Sequence, residues 1–197
     1  MSDLRNSETV KNLMRAFAGE SQARNRYTFA AGIAQKEKLP VIQAVFLFTA
    51  DQEKEHAEVF YNYMKELAGE TIYIDGGYPV DISQSTIDLL KAARHNEMEE
   101  YGTVYKSFGD TAKEEGFTMI GDTFHRIAEI EKTHADRFNL FTELMEKNQL
   151  FVSETETGWM CLNCGYVHQG TKAPAICPVC KHEQGYFIRL ELAPYVK

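Results

Sequence analysis

Apolar positions recur at spacings of three and four along most of the chain up to about Lys147, the signature of amphipathic helices. The stripe Leu13, Phe17, Glu20, Ala23, Tyr27 and Ala34 predicts one long helix over 7–36. Pro40 suits the first turn of a second helix running to about Ala68. Gly69 to Ser85, with Gly76-Gly77 and Pro79 inside it, is too broken for a helix and reads as a long connection. A third helix is expected from Thr86 to Lys113, with Leu90, Ala93, Glu97, Glu100, Val104 and Phe108 inward. Gly116 interrupts the pattern briefly before a fourth helix from Phe117 to Lys147. Two short turns around one long crossover is the connectivity of a ferritin-like four-helix bundle, so the chain reads as mainly α.

Some positions in these stripes carry the wrong chemistry for a core. Glu53-Lys54-Glu55-His56 lies among Ile42, Phe46, Thr49, Ala57, Phe60 and Leu67. Glu131-Lys132-Thr133-His134 lies among Phe124, Ile127, Ala128, Ala135, Phe138 and Met145. Residues three apart share a helix face, so each pair points a carboxylate and an imidazole inward. One such pair in a Glu-rich chain is ordinarily an exposed helix pair, but two inside apolar stripes need a partner to offset the cost of burial. Metal ions are that partner in bundles where each of two helices carries Glu-x-x-His.

The halves also repeat. Glu20 precedes Glu53 by 33 positions and Glu97 precedes Glu131 by 34. Each half therefore supplies a helix with one inward Glu and a helix with Glu-x-x-His. Offsetting by 77 sets Glu100 against Ala23, so the second half carries a fifth inward carboxylate, which we read as functional.

From Gln149 to Thr157 the chain turns polar and loses its period, as a linker does. From Gly158 onward it is punctuated by Gly and Pro and carries four basic residues (Lys172, Lys181, Arg189, Lys197) against two acidic ones (Glu183, Glu191). The expected division is a bundle over 1–148, a linker over 149–157 and a small domain over 158–197, too short to hold itself together without a metal. All four cysteines fall here, as Cys161-x-x-Cys164 and Cys177-x-x-Cys180, a four-thiolate set suited to zinc or iron. The composition of the whole chain, 44% hydrophobic and 25% charged, is that of a soluble globular protein. A net charge of -8 argues against nucleic-acid or anionic-membrane partners. The sequence shows no secretory signal and no spanning apolar run, and paired cysteines of this kind point to a reducing cytoplasm.

Trp159-Met160-Cys161, Cys164-Gly165-Tyr166 and Cys177-Pro178-Val179-Cys180, with aromatics beside the knuckles, resemble rubredoxin. With Glu20, Glu53-x-x-His56, Glu97-x-x-Glu100 and Glu131-x-x-His134 before them, the whole chain resembles the rubrerythrin family. That resemblance implies a non-haem di-iron peroxidase that reduces hydrogen peroxide to water, with electrons relayed through one iron held by Cys161, Cys164, Cys177 and Cys180. It implies that Glu53 and Glu131 bridge two irons, that Glu20 caps one, and that Glu97 and His134 hold the other. Glu100 and His56 are then alternatives on the first iron, Glu100 when oxidised and His56 when reduced. Glu53, Glu131, Glu100 and His56 are thus the expected catalytic residues. Tyr27 and Tyr101 are candidates for hydrogen bonds to the metal carboxylates, against a plain packing role. The family further implies protection from oxidative stress, an external flavoprotein reductase or rubredoxin as electron donor, linked to NAD(P)H, and a homodimer or larger homo-oligomer.

His95 and His125 fall off the inward faces, and His168 and His182 flank an already complete thiolate set, so all four read as surface residues. Lys181 stands where rubredoxin-type knuckles place Gly, a departure that affects redox tuning rather than the site itself. The rival reading is ferritin-like iron oxidation and storage, which has no use for a built-in one-electron relay. A zinc-stapled scaffold is the third.

Overall fold

The computed structural model describes residues 3–194; Met1, Ser2 and residues 195–197, with the Lys197 charge counted above, lie outside the described residues. Helix α1, Glu8–Lys36, starts at Ser7, whose hydroxyl accepts the Val10 N–H at 3.1 Å. It stops where Lys38 enters the left-handed region at φ 59, and Pro40 then opens α2, Pro40–Tyr63. A single 3-10 turn, Lys65–Leu67, completes the stretch expected as the end of the second helix. Residues 69–85 form no helix or strand and travel alongside α1, since Asp75 meets Arg15 at 2.6 Å and Asp81 meets Arg26 at 2.7 Å.

The third rod departs from the expected single helix. It consists of α3, Thr86–Glu99, a π turn, Glu100–Val104, and α4, Tyr105–Glu114. Within the turn the Tyr105 N–H reaches back to the Glu100 carbonyl, five residues earlier, so one extra residue is fitted into the rod. Leu90, Ala93 and Glu97 are buried as the 3.6-residue period requires. Beyond the turn the phase has moved: Tyr105 and Ala112 are buried, and Val104 and Phe108 are left half-buried. The last rod is α5, Thr118–Glu146.

Two apolar clusters fill the bundle. One gathers Ile42, Phe46, Leu90 and Phe138, the other Leu13, Phe60, Tyr105 and Phe124. Every rod changes from one cluster to the other where it carries its buried Glu: between Ala16 and Ala23, Ala50 and Phe60, Ala93 and Tyr105, Ala128 and Phe138. The carboxylates thus form a polar layer across the middle of the core.

The small domain is a three-stranded antiparallel sheet of order β2-β1-β3, built from β1 (Val152–Cys161), β2 (Val167–Lys172) and β3 (Phe187–Arg189). The strand β1 occupies most of the stretch expected as a linker. Val152, Thr155 and Thr157 favour extended backbone while Glu154 and Glu156 face water, so polarity there marks an exposed strand. Its pairing with β2 shifts register between Val152 and Thr157. Trp159, Cys161, Cys177 and Phe187 make the domain's core. Ile188 and Leu150 instead join the bundle's first cluster. Gly185 sits so close to the Lys38 carbonyl that a Cβ would lie 2.2 Å from its oxygen, which admits only glycine at that seam.

At the opposite end of α1, Glu115 accepts the N–H groups of Glu8 (2.9 Å) and Thr9 (2.8 Å) and the Thr9 hydroxyl (2.6 Å), capping α1 from the turn before α5. Partial burial works to push its pKa up, but these donors outweigh it and hold the carboxyl below the usual glutamate range. Glu115→Ala is expected to cost about 1 kcal/mol in urea unfolding of the metal-loaded protein. A carboxyl lowered in the folded state stabilises fully at neutral pH and loses that contribution as the pH falls through the acid range. A difference between the proteins that persists unchanged into acid would contradict this account.

Candidate metal centre

Each buried Glu comes from the middle of a rod, where the helical period turns it toward the axis. Glu20, Glu53, Glu131 and His134 are fully buried, with His56 and Glu97 nearly so. They assemble into two overlapping groups whose ligand atoms lie within 4.8 Å of one another: Glu20, Glu53, His56 and Glu131, and Glu53, Glu97, Glu131 and His134. Glu53 and Glu131 belong to both. His56 Nδ1 lies 3.4 Å from Glu53 Oε2 and 3.0 Å from Glu131 Oε1. His134 Nδ1 lies 2.9 Å from Glu53 Oε1 and 2.8 Å from Glu131 Oε2. Each shared carboxylate therefore turns one oxygen to each imidazole, and the rings stand 5.6 Å apart between centroids. Glu100, at the start of the π turn, is half-buried and belongs to neither group.

The remaining oxygens of the outer glutamates are occupied. Tyr27 donates to Glu97 Oε1 and Tyr105 donates to Glu20 Oε1. Tyr101 instead lies half-buried against the second apolar cluster. The extra residue of the π turn explains the difference: Glu131 follows Glu53 by 78 positions while Glu97 follows Glu20 by 77. The same offset of 78 carries Tyr27 to Tyr105, so the change in spacing between the halves was the signal for this hydroxyl. Each tyrosine thus braces the outer glutamate of the other half. Arg137 is also new; its guanidinium donates to Thr49 Oγ1 and Gln52 Oε1, both at 2.9 Å, one turn beyond His134.

The layer is electrostatically costly without cations. Burial first, and then repulsion from neighbouring carboxylates, pushes Glu20 and Glu97 well above the usual range. Burial disfavours charge on both imidazoles, yet contacts with Glu131 and Glu53 outweigh it and raise His56 to about 9 and His134 to about 12. Burial also acts to raise Glu53, but the same histidines hold it low. Both oxygens of Glu53 and of Glu131, one of Glu20 and one of Glu97, and Nδ1 of each histidine remain without hydrogen-bond partners. Buried polar atoms orphaned together and converging on two points are what a pair of metal ions satisfies. The residues fit the group.

The four thiols make a second site. Cys161 Sγ to Cys180 Sγ and Cys164 Sγ to Cys177 Sγ are both 3.7 Å, and all four sulfurs lie within 4.8 Å of one another. A tetrahedron with metal–sulfur bonds of about 2.3 Å has edges of about 3.8 Å. Gly165 and Lys181 follow the second cysteine of each pair at φ 75 and φ 64, so lysine accepts the left-handed conformation here, its Nζ donating to the Pro178 carbonyl at 2.9 Å. The backbone N–H of His182 lowers Cys180 to about 5, as suits a thiolate ligand.

A family profile described as Rubrerythrin matches residues 11–142. The chain belongs to the rubrerythrin family. A second profile, the rubredoxin-like domain of rubrerythrin, matches residues 159–188, so the two together span both sites. The chain is 42% identical to a rubrerythrin of Clostridium perfringens over 188 residues, covering 95% of this chain and 96% of that protein. It is 41% identical to a rubrerythrin of Nitratidesulfovibrio vulgaris over 187 residues, with the same coverage. Among solved structures, nigerythrin in its fully reduced, all-ferrous state aligns with a TM-score of 0.62 at 26% identity, over 92% of this chain and 86% of that one. A Desulfovibrio desulfuricans bacterioferritin, at 23% identity and a TM-score of 0.65 over 72% of this chain and 82% of that one, shares the four-helix fold. Rubrerythrin membership accounts for a bundle and a four-cysteine domain in one chain, and the described residues contain no helix long and apolar enough to cross a membrane.

Glu53→Ala or Glu131→Ala is expected to abolish binding at both bundle positions, whereas Glu97→Ala empties one; elemental analysis after anaerobic loading reads the count. Tyr105→Phe is expected to weaken metal binding about tenfold. Tyr101→Phe leaves it unchanged, and equal effects of the two would overturn the assignment of the bracing hydroxyl.

Proposed function

We propose that this protein is a peroxidase of the rubrerythrin type, reducing hydrogen peroxide to water at an iron pair in the bundle. The observation that carries the reading is the pair of four-ligand groups sharing Glu53 and Glu131, in the same chain as a four-sulfur site of tetrahedral dimensions. Two ferrous ions held there supply the two electrons that cleavage of the peroxide bond consumes, with two protons making two waters.

The chain's own residues set the conditions. Glu53 and Glu131 hold one oxygen toward each position, so the two ions are kept side by side. Glu20 and His56 complete the first position, Glu97 and His134 the second. Tyr27 and Tyr105 remain protonated, because burial and the neighbouring carboxylates raise both phenols, and so they keep donating to the outer glutamates. His56 stands within its group and Glu100 outside it, the arrangement the reduced state calls for if the two exchange. Imidazole suits a ferrous ion and carboxylate a ferric one, so the preference follows oxidation state. Cys161, Cys164, Cys177 and Cys180 would hold a single iron, which would supply one-electron transfer from an external flavoprotein reductase or rubredoxin drawing on NAD(P)H. We place the protein in the cytoplasm and infer a homodimer or larger homo-oligomer, in which one chain's four-sulfur site can serve its partner's bundle.

Anaerobically reduced protein mixed with hydrogen peroxide in a stopped-flow instrument is expected to reoxidise its iron pair with one peroxide per pair, faster than with dioxygen. Cys164→Ser is expected to spare this first reoxidation and to stop sustained turnover with an external donor. Faster reaction with dioxygen, together with growth of an iron mineral, would favour storage instead.

A further inference from the structure

The bundle's polar layer is closed over most of its extent, with Glu20, Glu53, Glu131 and His134 at 0% exposure and His56 at 8%. A cleft of about 530 Å³ runs beside it, between α1, the π turn and the crossover of residues 69–85, and ends on neighbours of the layer rather than on the buried ligands themselves. Glu100 and Tyr105 line this cleft, and Tyr105 is the residue whose hydroxyl holds Glu20. Gly19, next to Glu20, lines it from α1.

The crossover lies over the cleft and is fastened on both sides. Arg15 donates to the Asp75 carbonyl (3.0 Å) and carboxylate (2.6 Å). Arg26 and Asn96 both donate to Asp81, each at 2.7 Å. Between these anchors Tyr78, 39% exposed, lies over the mouth of the cleft against α1: its hydroxyl donates to the Arg15 carbonyl at 3.0 Å, and its ring lies 3.7 Å from where a Cβ on Gly19 would stand. A Cβ on Gly76 would meet the Tyr78 hydroxyl at 3.0 Å and its ring at 3.1 Å, so glycine eases the close approach of the tyrosine to its own loop.

We propose that this cleft is the entrance for peroxide and that the Tyr78 ring, pinned across it, sets the size of hydroperoxide admitted. The proposal rests on the peroxidase reading and deepens it: the substrate class is unsubstituted hydrogen peroxide, and branched alkyl hydroperoxides are excluded by the ring rather than by the iron ligands. The walls are mostly apolar, with Asn96, Thr103 and Ser107 among the polar side chains on them, so a small neutral molecule can pass where a charged one is disfavoured. Tyr78 acts by position and touches no ligand of the metal pair.

The test compares reoxidation of the reduced protein by hydrogen peroxide and by tert-butyl hydroperoxide. Tyr78→Ala is expected to raise the ratio of the tert-butyl to the hydrogen peroxide rate by at least about tenfold. Tyr78→Phe keeps the ring and is expected to leave the ratio unchanged. Thr103→Trp narrows the cleft from the opposite wall without altering the crossover, and is expected to slow hydrogen peroxide about tenfold. A second readout involves no turnover: with manganese(II) in the bundle, paramagnetic relaxation of tert-butanol methyl protons is expected to rise several-fold in Tyr78→Ala over the unaltered protein. An unchanged peroxide ratio and unchanged relaxation in Tyr78→Ala would overturn the gate. Failure of the unaltered protein to be reoxidised by hydrogen peroxide would instead overturn the peroxidase reading, and the relaxation result would still decide whether the cleft is the way in.

Discussion

Placing four carboxylates and two imidazoles in the middle of an apolar bundle is the constraint from which the rest of the molecule follows. Removing such charges from water costs several kcal/mol each unless partners are supplied. Protein donors meet only part of that need: one tyrosine for Glu20, one for Glu97, and none for either oxygen of Glu53 or Glu131. The remainder is what a pair of cations would meet. The aromatic and aliphatic clusters on either side keep the layer dry, which strengthens every interaction within it.

Most of this was legible in the sequence because burial imposes a period, and a glutamate within an apolar stripe stands out against it. The bundle, its long crossover, both Glu-x-x-His pairs and the two cysteine knuckles were all visible in that way. The third rod was harder. A π turn has no compositional mark, so a strict 3.6-residue period pointed to Val104 and Phe108 where the structure buries Tyr105 and Ala112. Tyr101, adjacent to Glu100 in sequence, drew attention that belonged to Tyr105, four positions on. The lengthened spacing from Glu97 to Glu131 held the information, but only if read as an insertion.

The crossover and the start of β1 were obscure for another reason. Both are polar or Gly-rich with no repeat, and such stretches differ in structure according to what they lie against. Residues 69–85 are ordered by arginines on α1, a pairing that no local pattern announces. The polar stretch before Gly158 pairs with β2, which lies later in the chain, so its extended form depends on a partner not yet encountered.

The repeat has a further consequence. Glu53 and Glu131 each serve both metal positions, so neither can be altered to tune one ion alone. Individuality lies in the outer residues, and there the halves match except at one place: opposite Glu100 stands Ala23, a methyl group sealed in the core. A duplicated frame has in this way become lopsided. The position beside Ala23 faces a methyl group, whereas its counterpart has a spare acid beside it and a cleft nearby, so two matching ligand sets sit in unlike surroundings.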